Sequence, residues 1–270
     1  MGLFDFLKKK DTAADNKGMI GSPLKGTCVE LSQVNDPTFS SGLLGSGVAV
    51  IPVDGKICAP ADGTVNIIFP TGHAVAMTTK EGVELVRQAK KRGVNVSAEV
   101  TVHHLLMCED DIKADDGRYK MNPPLRTKED QEALIAGLND GTIEMICTDH
   151  APHSEEEKSR GLAKSLMGIT SSEYAFSLVY SGLVKTGKVK LETVLDAMSY
   201  NCANIFGIEG GDLTNFEKAN LAMFDLMHRE KITEKGLLTK GKSTPFIGWY
   251  AHGVCLLTVC DGQIVYRRDI

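Results

Sequence analysis

The heptapeptide Cys147-Thr148-Asp149-His150-Ala151-Pro152-His153 holds the densest run of chemistry-bearing side chains in the sequence. It directly follows the apolar run "TIEMI", which reads as a buried strand. Asp149 and His150 therefore fall at the carboxyl end of that strand, where barrel enzymes keep their chemistry. A carboxylate there can ligate a metal and act as general base, because it can take a proton from a water that the metal has acidified. Pro152 prevents a regular helix, which makes His150 and His153 loop-borne rather than an i, i+3 helical pair. The alternative arrangement is Asp149 capping a helix, with two solvated histidines beside it.

The elements that must hold this loop begin near Thr78. Thr78 and Glu81 have capping-box spacing, Val83, Val86 and Ala89 repeat at helical intervals, and Lys90, Lys91 and Arg92 crowd the last turn before Gly93. A helix is expected there. "VNVSAEVTV" then reads as a buried strand, Thr127 to Leu138 as an amphipathic helix ending near Gly141, and "TIEMICT" as a second buried strand. Apolar strands alternating with helices predict a parallel sheet covered by helices. The tail, "NLAMFDL" and "GVCLLTVCDGQIVYRR", returns to β-strands with a hairpin turn at Asp261-Gly262.

Upstream the grammar differs. From residue 18 to 79 short β-branched runs alternate with Asp-Gly pairs at Asp54-Gly55 and Asp62-Gly63, and no helical period interrupts them. Such pairs tolerate the positive φ of tight turns, so consecutive antiparallel strands of a sandwich or barrel are expected. The structural class switches between residues 78 and 85. The expected organisation is a tail and linker over 1–17, an incomplete β domain over 18–81, and an α/β part with terminal strands over 82–270.

The composition, 42% hydrophobic with a net charge of −5, fits a folded globular chain and offers no field to gather nucleic acid. Seven cysteines, odd in number, widely spaced and without a CxxC pair, read as reduced thiols of a cytoplasmic protein and give no support for a zinc ribbon. No signal-peptide pattern or membrane-length apolar run is seen. "MGLFDFLKKK" reads either as a small amphipathic helix touching a membrane surface or as a frayed tail, so any membrane contact is at most peripheral. Phe6 occupies the position where a myristoylation motif needs Ser or Thr.

Beyond the heptapeptide, "AEVTVHHLLM", "YKMNPPLRTKEDQEALIAGLNDGTIEMICTDHAPHSEEEK", "SYNCANIFGI" and "STPFIGWY" together resemble the carboxyl-terminal part of dihydroorotase, of the amidohydrolase superfamily, from about Gly82 to Tyr266. The resemblance implies a partial (β/α)8 barrel, a zinc-dependent hydrolase acting on cyclic amides, and interconversion of carbamoyl aspartate and dihydroorotate in pyrimidine biosynthesis. Under it Asp149 matches a metal-binding catalytic aspartate, and Asn122 and His153 match substrate-binding positions. Met167 and Gly168 match a backbone contact on the active-site loop, with Met167 where phenylalanine is usual and Val102 where proline is usual. The family's early His-x-His pair, its bridging residue and two further histidines are not matched, and a catalytic zinc takes about three protein ligands plus a water. For His103, His104, His150 and His153 the expected role is hydrogen bonding within the barrel rim, with an adventitious metal cluster as the alternative.

"APADGTVNIIFPTGHAVAM", with "GSGVAVIP" upstream and the amphipathic start, resembles the glucose-family IIA component of the bacterial phosphotransferase system over about residues 1–85. That resemblance implies an all-β sandwich that carries a phosphoryl group on one histidine and docks a phosphocarrier protein. His73 matches the supporting catalytic histidine, able to hydrogen-bond phosphoryl oxygens. The acceptor position is Gln88, whose amide cannot take up a phosphoryl group as imidazole does.

"GVELV" fits both families, so residues 76–100 read as a seam between two incomplete parts. The expected fold is mixed: a partial all-β sandwich fused to a partial amidohydrolase barrel. Three functions follow: a dihydroorotase-like hydrolase inactive alone, a IIA-type module without its acceptor, or a fusion product with no function. An open barrel leaves strand edges unpaired, and a homo-oligomer would cover some of them.

Overall fold

The computed structural model describes residues 22–41, 48–58, 64–68, 75–78, 82–208 and 219–268. They belong to two compact units divided between Leu85 and Val86.

In the first unit β1 (Leu24–Glu30) pairs antiparallel with β2 (Val48–Ile57), and β3 (Thr64–Ile68) pairs antiparallel with β4 (Val75–Thr78). These are two separate two-stranded sheets, with the one-turn helix α1 (Pro37–Ser40) between β1 and β2. The helix corrects the expectation of an uninterrupted β segment. Pro37 brings a preset helical φ to the first helical position, and the Ser40 N–H and hydroxyl both donate to the Asp36 carbonyl at 2.9 Å. Asp54-Gly55 is also not a hairpin turn. The pairing jumps from Gly26 opposite Pro52 to Leu24 opposite Ile57, so the pair lies in a bulge within β2. There the Asp54 carboxylate accepts the Lys56 N–H at 3.0 Å, and the local chemistry that favours an Asp-Gly turn serves a bulge equally well. Asp62-Gly63 and His73 lie outside the described residues.

Helix α2 (Gly82–Lys91) begins in the first unit and ends in the second. Thr78 closes β4 instead of capping this helix, and Glu81 lies outside the described residues. The helix ends as expected: Lys90 and Lys91 occupy its last turn and Gly93 follows at φ 77°, its N–H bonded to the Lys90 carbonyl. Arg87 pairs with Asp140 at 2.7 Å and Lys90 with Glu144 at 2.6 Å.

β5 (Glu99–Thr101) is shorter than the expected strand because Thr101 accepts the His104 N–H on its side chain and starts α3 (Val102–Leu106) at once. α4 (Lys128–Asn139) carries a capping box between Thr127 and Asp130, and Gly141 follows it at φ 75°. The chain then returns in β6 (Met145–Cys147), parallel to β5, with Val100 opposite Ile146 and Thr101 opposite Cys147. Just beyond β6, a parallel bridge pairs His150 with Ile169.

Next come α5 (Glu155–Lys158), α6 (Gly161–Lys164), α7 (Ala175–Val179), which runs on as a π-helical stretch (Tyr180–Val184), and α8 (Leu191–Leu195) and α9 (Asn201–Phe206), joined into one helix by a π-helical stretch (Asp196–Tyr200). The last element is an antiparallel sheet of β7 (Leu221–Lys231), β8 (Tyr250–Cys260) and β9 (Gln263–Arg267). Asp261 and Gly262, at φ 49° and 77°, make the expected two-residue turn between β8 and β9. Val102, Leu105, Ile169, Val179, Leu183, Val194, Ile232 and Phe246 form the buried core.

Candidate functional site at the ends of the parallel strands

Asp149 and His103 each stand two residues beyond the register pair Thr101–Cys147, at the carboxyl ends of adjacent parallel strands. Asp149 is exposed and adopts φ 46°, a left-handed backbone conformation uncommon for a residue with a side chain and one that clusters at functional sites. It does not cap a helix. Ser154 caps α5, in a capping box with Glu157.

His150 turns away from any metal-ligating role on its Nδ1, which accepts the N–H groups of Ser171 at 3.1 Å and Ser172 at 3.2 Å. The ring proton must then sit on Nε2. With the Ser171 hydroxyl donating to the Thr148 carbonyl at 2.6 Å, His150 stitches the loop after β6 to the next segment. His153 donates from Nε2 to the Met167 carbonyl at 2.9 Å, and its Nδ1 stands 3.7 Å from Glu157. His153, Met167 and Gly168 thus come together. Gly168 sits at φ 132°, and a Cβ there would lie 2.6 Å from the Ala151 carbonyl oxygen, so the close approach of these segments demands glycine.

The rim role holds for three of the four histidines. His104 donates from Nε2 to the Pro123 carbonyl at 3.0 Å, and its Nδ1 meets the Thr101 hydroxyl at 2.6 Å. Burial lowers its pKa, opposed by the prolyl carbonyls and by the charge of Asp149. His103 is the exception. Its ring is fully buried, packs 4.5 Å from that of His104, and has no hydrogen-bond partner on either nitrogen. Burial and the neighbouring His104 push its pKa down to about 3. The expected hydrogen-bonding role therefore fails for His103, in a His-His doublet that follows an apolar strand as the Asp-His pair follows β6. Asn122 also carries a buried, unpartnered Oδ1, one residue before the Pro123 carbonyl that receives His104. The Cys147 thiol is pushed up to about 12 by burial and by Glu99, so it is neither a thiolate nucleophile nor a ready metal ligand.

Tested against a zinc centre, the arrangement fits in part. The Asp149 carboxylate is a suitable donor, while the His103 ring is buried against His104. Among the described residues, no three His, Cys, Asp or Glu side chains gather to hold a metal ion, so the adventitious cluster is not seen either.

The model for the amidohydrolase family matches residues 73–265, well over half of the chain. The chain belongs to that family. Among similar proteins, the dihydroorotase of Lactobacillus leichmannii is 51% identical over 195 residues, covering 72% of this chain and 46% of the relative. That of Bacillus cytotoxicus is 47% identical over 197 residues, covering 73% and 46%. This amidohydrolase therefore spans less than half the length of the curated relatives it matches. Two solved structures share its fold at a TM-score of 0.65: L-hydantoinase (dihydropyrimidinase) from Arthrobacter aurescens, 29% identical over 69% of this chain and 43% of that one, and D-hydantoinase (dihydropyrimidinase) from Thermus sp., 26% identical over 70% and 43%. The model for the phosphoenolpyruvate-dependent sugar phosphotransferase system, EIIA 1, matches residues 18–104. The two matches overlap over 73–104, which contains the seam read from the sequence, and the amidohydrolase is a chimera of the two families.

Proposed function

We propose that the amidohydrolase part is the carboxyl-terminal portion of a dihydroorotase-like enzyme: it retains substrate-binding loops and one metal-binding, proton-accepting carboxylate, and is inactive by itself. The observation that carries this reading is exposed, left-handed Asp149 just beyond the carboxyl end of β6. Its carboxylate is a group a zinc ion accepts as a ligand. Zinc supplies such a site with Lewis acidity toward an amide carbonyl and acidification of a water. One donor falls short of a catalytic centre, so the chemistry left to this chain is binding and proton transfer. Asn122 offers an unsatisfied carbonyl oxygen, while His153 and the Met167–Gly168 backbone offer a loop edge for dihydroorotate or carbamoyl aspartate.

The test uses hydrogen exchange and a turnover assay with both compounds. Slower exchange around residues 122, 153 and 167–168 on adding dihydroorotate, without turnover, is the expected result. No slowing at those positions refutes substrate binding, and turnover lost in Asp149→Ala refutes inactivity.

A second reading rests on the EIIA 1 match: a module that docks a phosphocarrier protein without accepting its phosphoryl group. By the sequence resemblance, Gln88, which lies in α2, takes the acceptor position. Its distinguishing result is binding of such a carrier to the chain with no phosphoryl transfer.

A further inference from the structure

Lys158 belongs to the charge run from Glu155 to Arg160, where a lysine ordinarily points into water, yet only 4% of its surface is exposed. Its ammonium donates to the carbonyls of Lys120 at 2.9 Å, Leu166 at 2.8 Å and Gly168 at 2.8 Å. Those bonds use all three of its N–H groups. The three carbonyls bracket the loop at Met167 and Gly168. Gly168 donates its own N–H back to the Lys120 carbonyl at 3.0 Å, and His153 holds the Met167 carbonyl.

The segment that carries Lys158 packs closely on the one before it. A Cβ at Gly117 would stand 2.2 Å from both the Lys158 carbonyl oxygen and the Ser165 hydroxyl. The same two segments are tied again by the Leu162 N–H to Asp115 at 2.6 Å and by the Lys120 ammonium to the Ala163 carbonyl at 2.9 Å. A buried ammonium with three carbonyl acceptors is a fixed three-way connector. An arginine's planar fork cannot reproduce that geometry.

We infer that Lys158 is the positioning residue of the Met167–Gly168 loop, setting the spacing of the Lys120, Leu166 and Gly168 carbonyls and with it how Gly168 and His153 face a ligand. This rests on the reading of that loop as substrate-binding.

The test is hydrogen exchange on the full chain, with and without dihydroorotate, for the parent, Lys158→Met and Lys158→Arg. Removing the connector leaves three carbonyls without their charged donor. Exchange over residues 151–154 and 165–169 is therefore expected to rise about tenfold or more in Lys158→Met while β7 and β8 stay unchanged. Lys158→Arg does not restore the parent rate. Should Lys158→Met fail to fold, Lys158→Gln, with two donors for three carbonyls, gives an intermediate rise confined to the same residues. Parent-like exchange in the loop, or a rise spread evenly through the unit, overturns the inference. Absence of loop protection by dihydroorotate in the parent counts against the substrate reading alone, because the ligand-free comparison still decides the role of Lys158.

Discussion

Truncating Phe246 to alanine is expected to destabilise the protein by about 3–5 kcal/mol. Phe246 is among the largest fully buried side chains and meets Trp249 edge-on, ring centroids 5.1 Å apart. With Leu178, Ile232 and Leu237 it borders a small cavity whose wall also includes Thr170 and Ser171. The cavity left by truncation would open directly behind the segment whose Ser171 N–H and hydroxyl hold His150 and Thr148. Thermal unfolding should show a fall in Tm on the order of 10 °C. Phe246→Leu, which keeps most of the volume, should cost about 1 kcal/mol. An alanine variant as stable as the leucine one would show that this core is not closely packed.

The second large effect is acid sensitivity from His103. Its ring binds a proton near 6.5 in the unfolded chain but only at about 3 when folded, because burial and the adjacent His104 disfavour the cation. Between those values the unfolded state holds more protons, so stability falls as pH drops below 6.5 and the loss levels off near 3. The whole effect is on the order of 5 kcal/mol. His103→Leu removes two buried nitrogens that have no partners, which leaves neutral-pH stability unchanged or improved. Denaturant titrations from pH 4 to 8 in the presence of a chelator should show a flatter acid limb for the variant. The same acid slope in both proteins would locate the sensitivity elsewhere, with His104 the next group to test, since burial lowers its pKa as well.

Where local chemistry dictated the structure, the sequence was readable. Thr127 and Asp130 cap α4 on their own, apolar runs make β5 and β6 parallel neighbours, and Asp261-Gly262 closes a hairpin without help from distant residues. Asp149 was legible for the same reason, as a carboxylate directly after a buried strand. Long-range partners hid the rest. Lys158 looks like one more solvated charge until carbonyls from residues 120, 166 and 168 converge on it. Asp54-Gly55 suits a turn and a bulge equally, and only the pairing with Gly26 and Leu24 decides between them. The state of His103 depends on what buries it, which spacing does not encode.

This chain carries a zinc-type site's Asp149 without enough further ligands to complete it. The most direct test is zinc content per chain after gel filtration from zinc-containing buffer, measured for the parent and for Asp149→Ala. Well under one zinc per chain, unchanged by the substitution, is the predicted result. One or more tightly held zinc ions per chain, lost in Asp149→Ala, would contradict it.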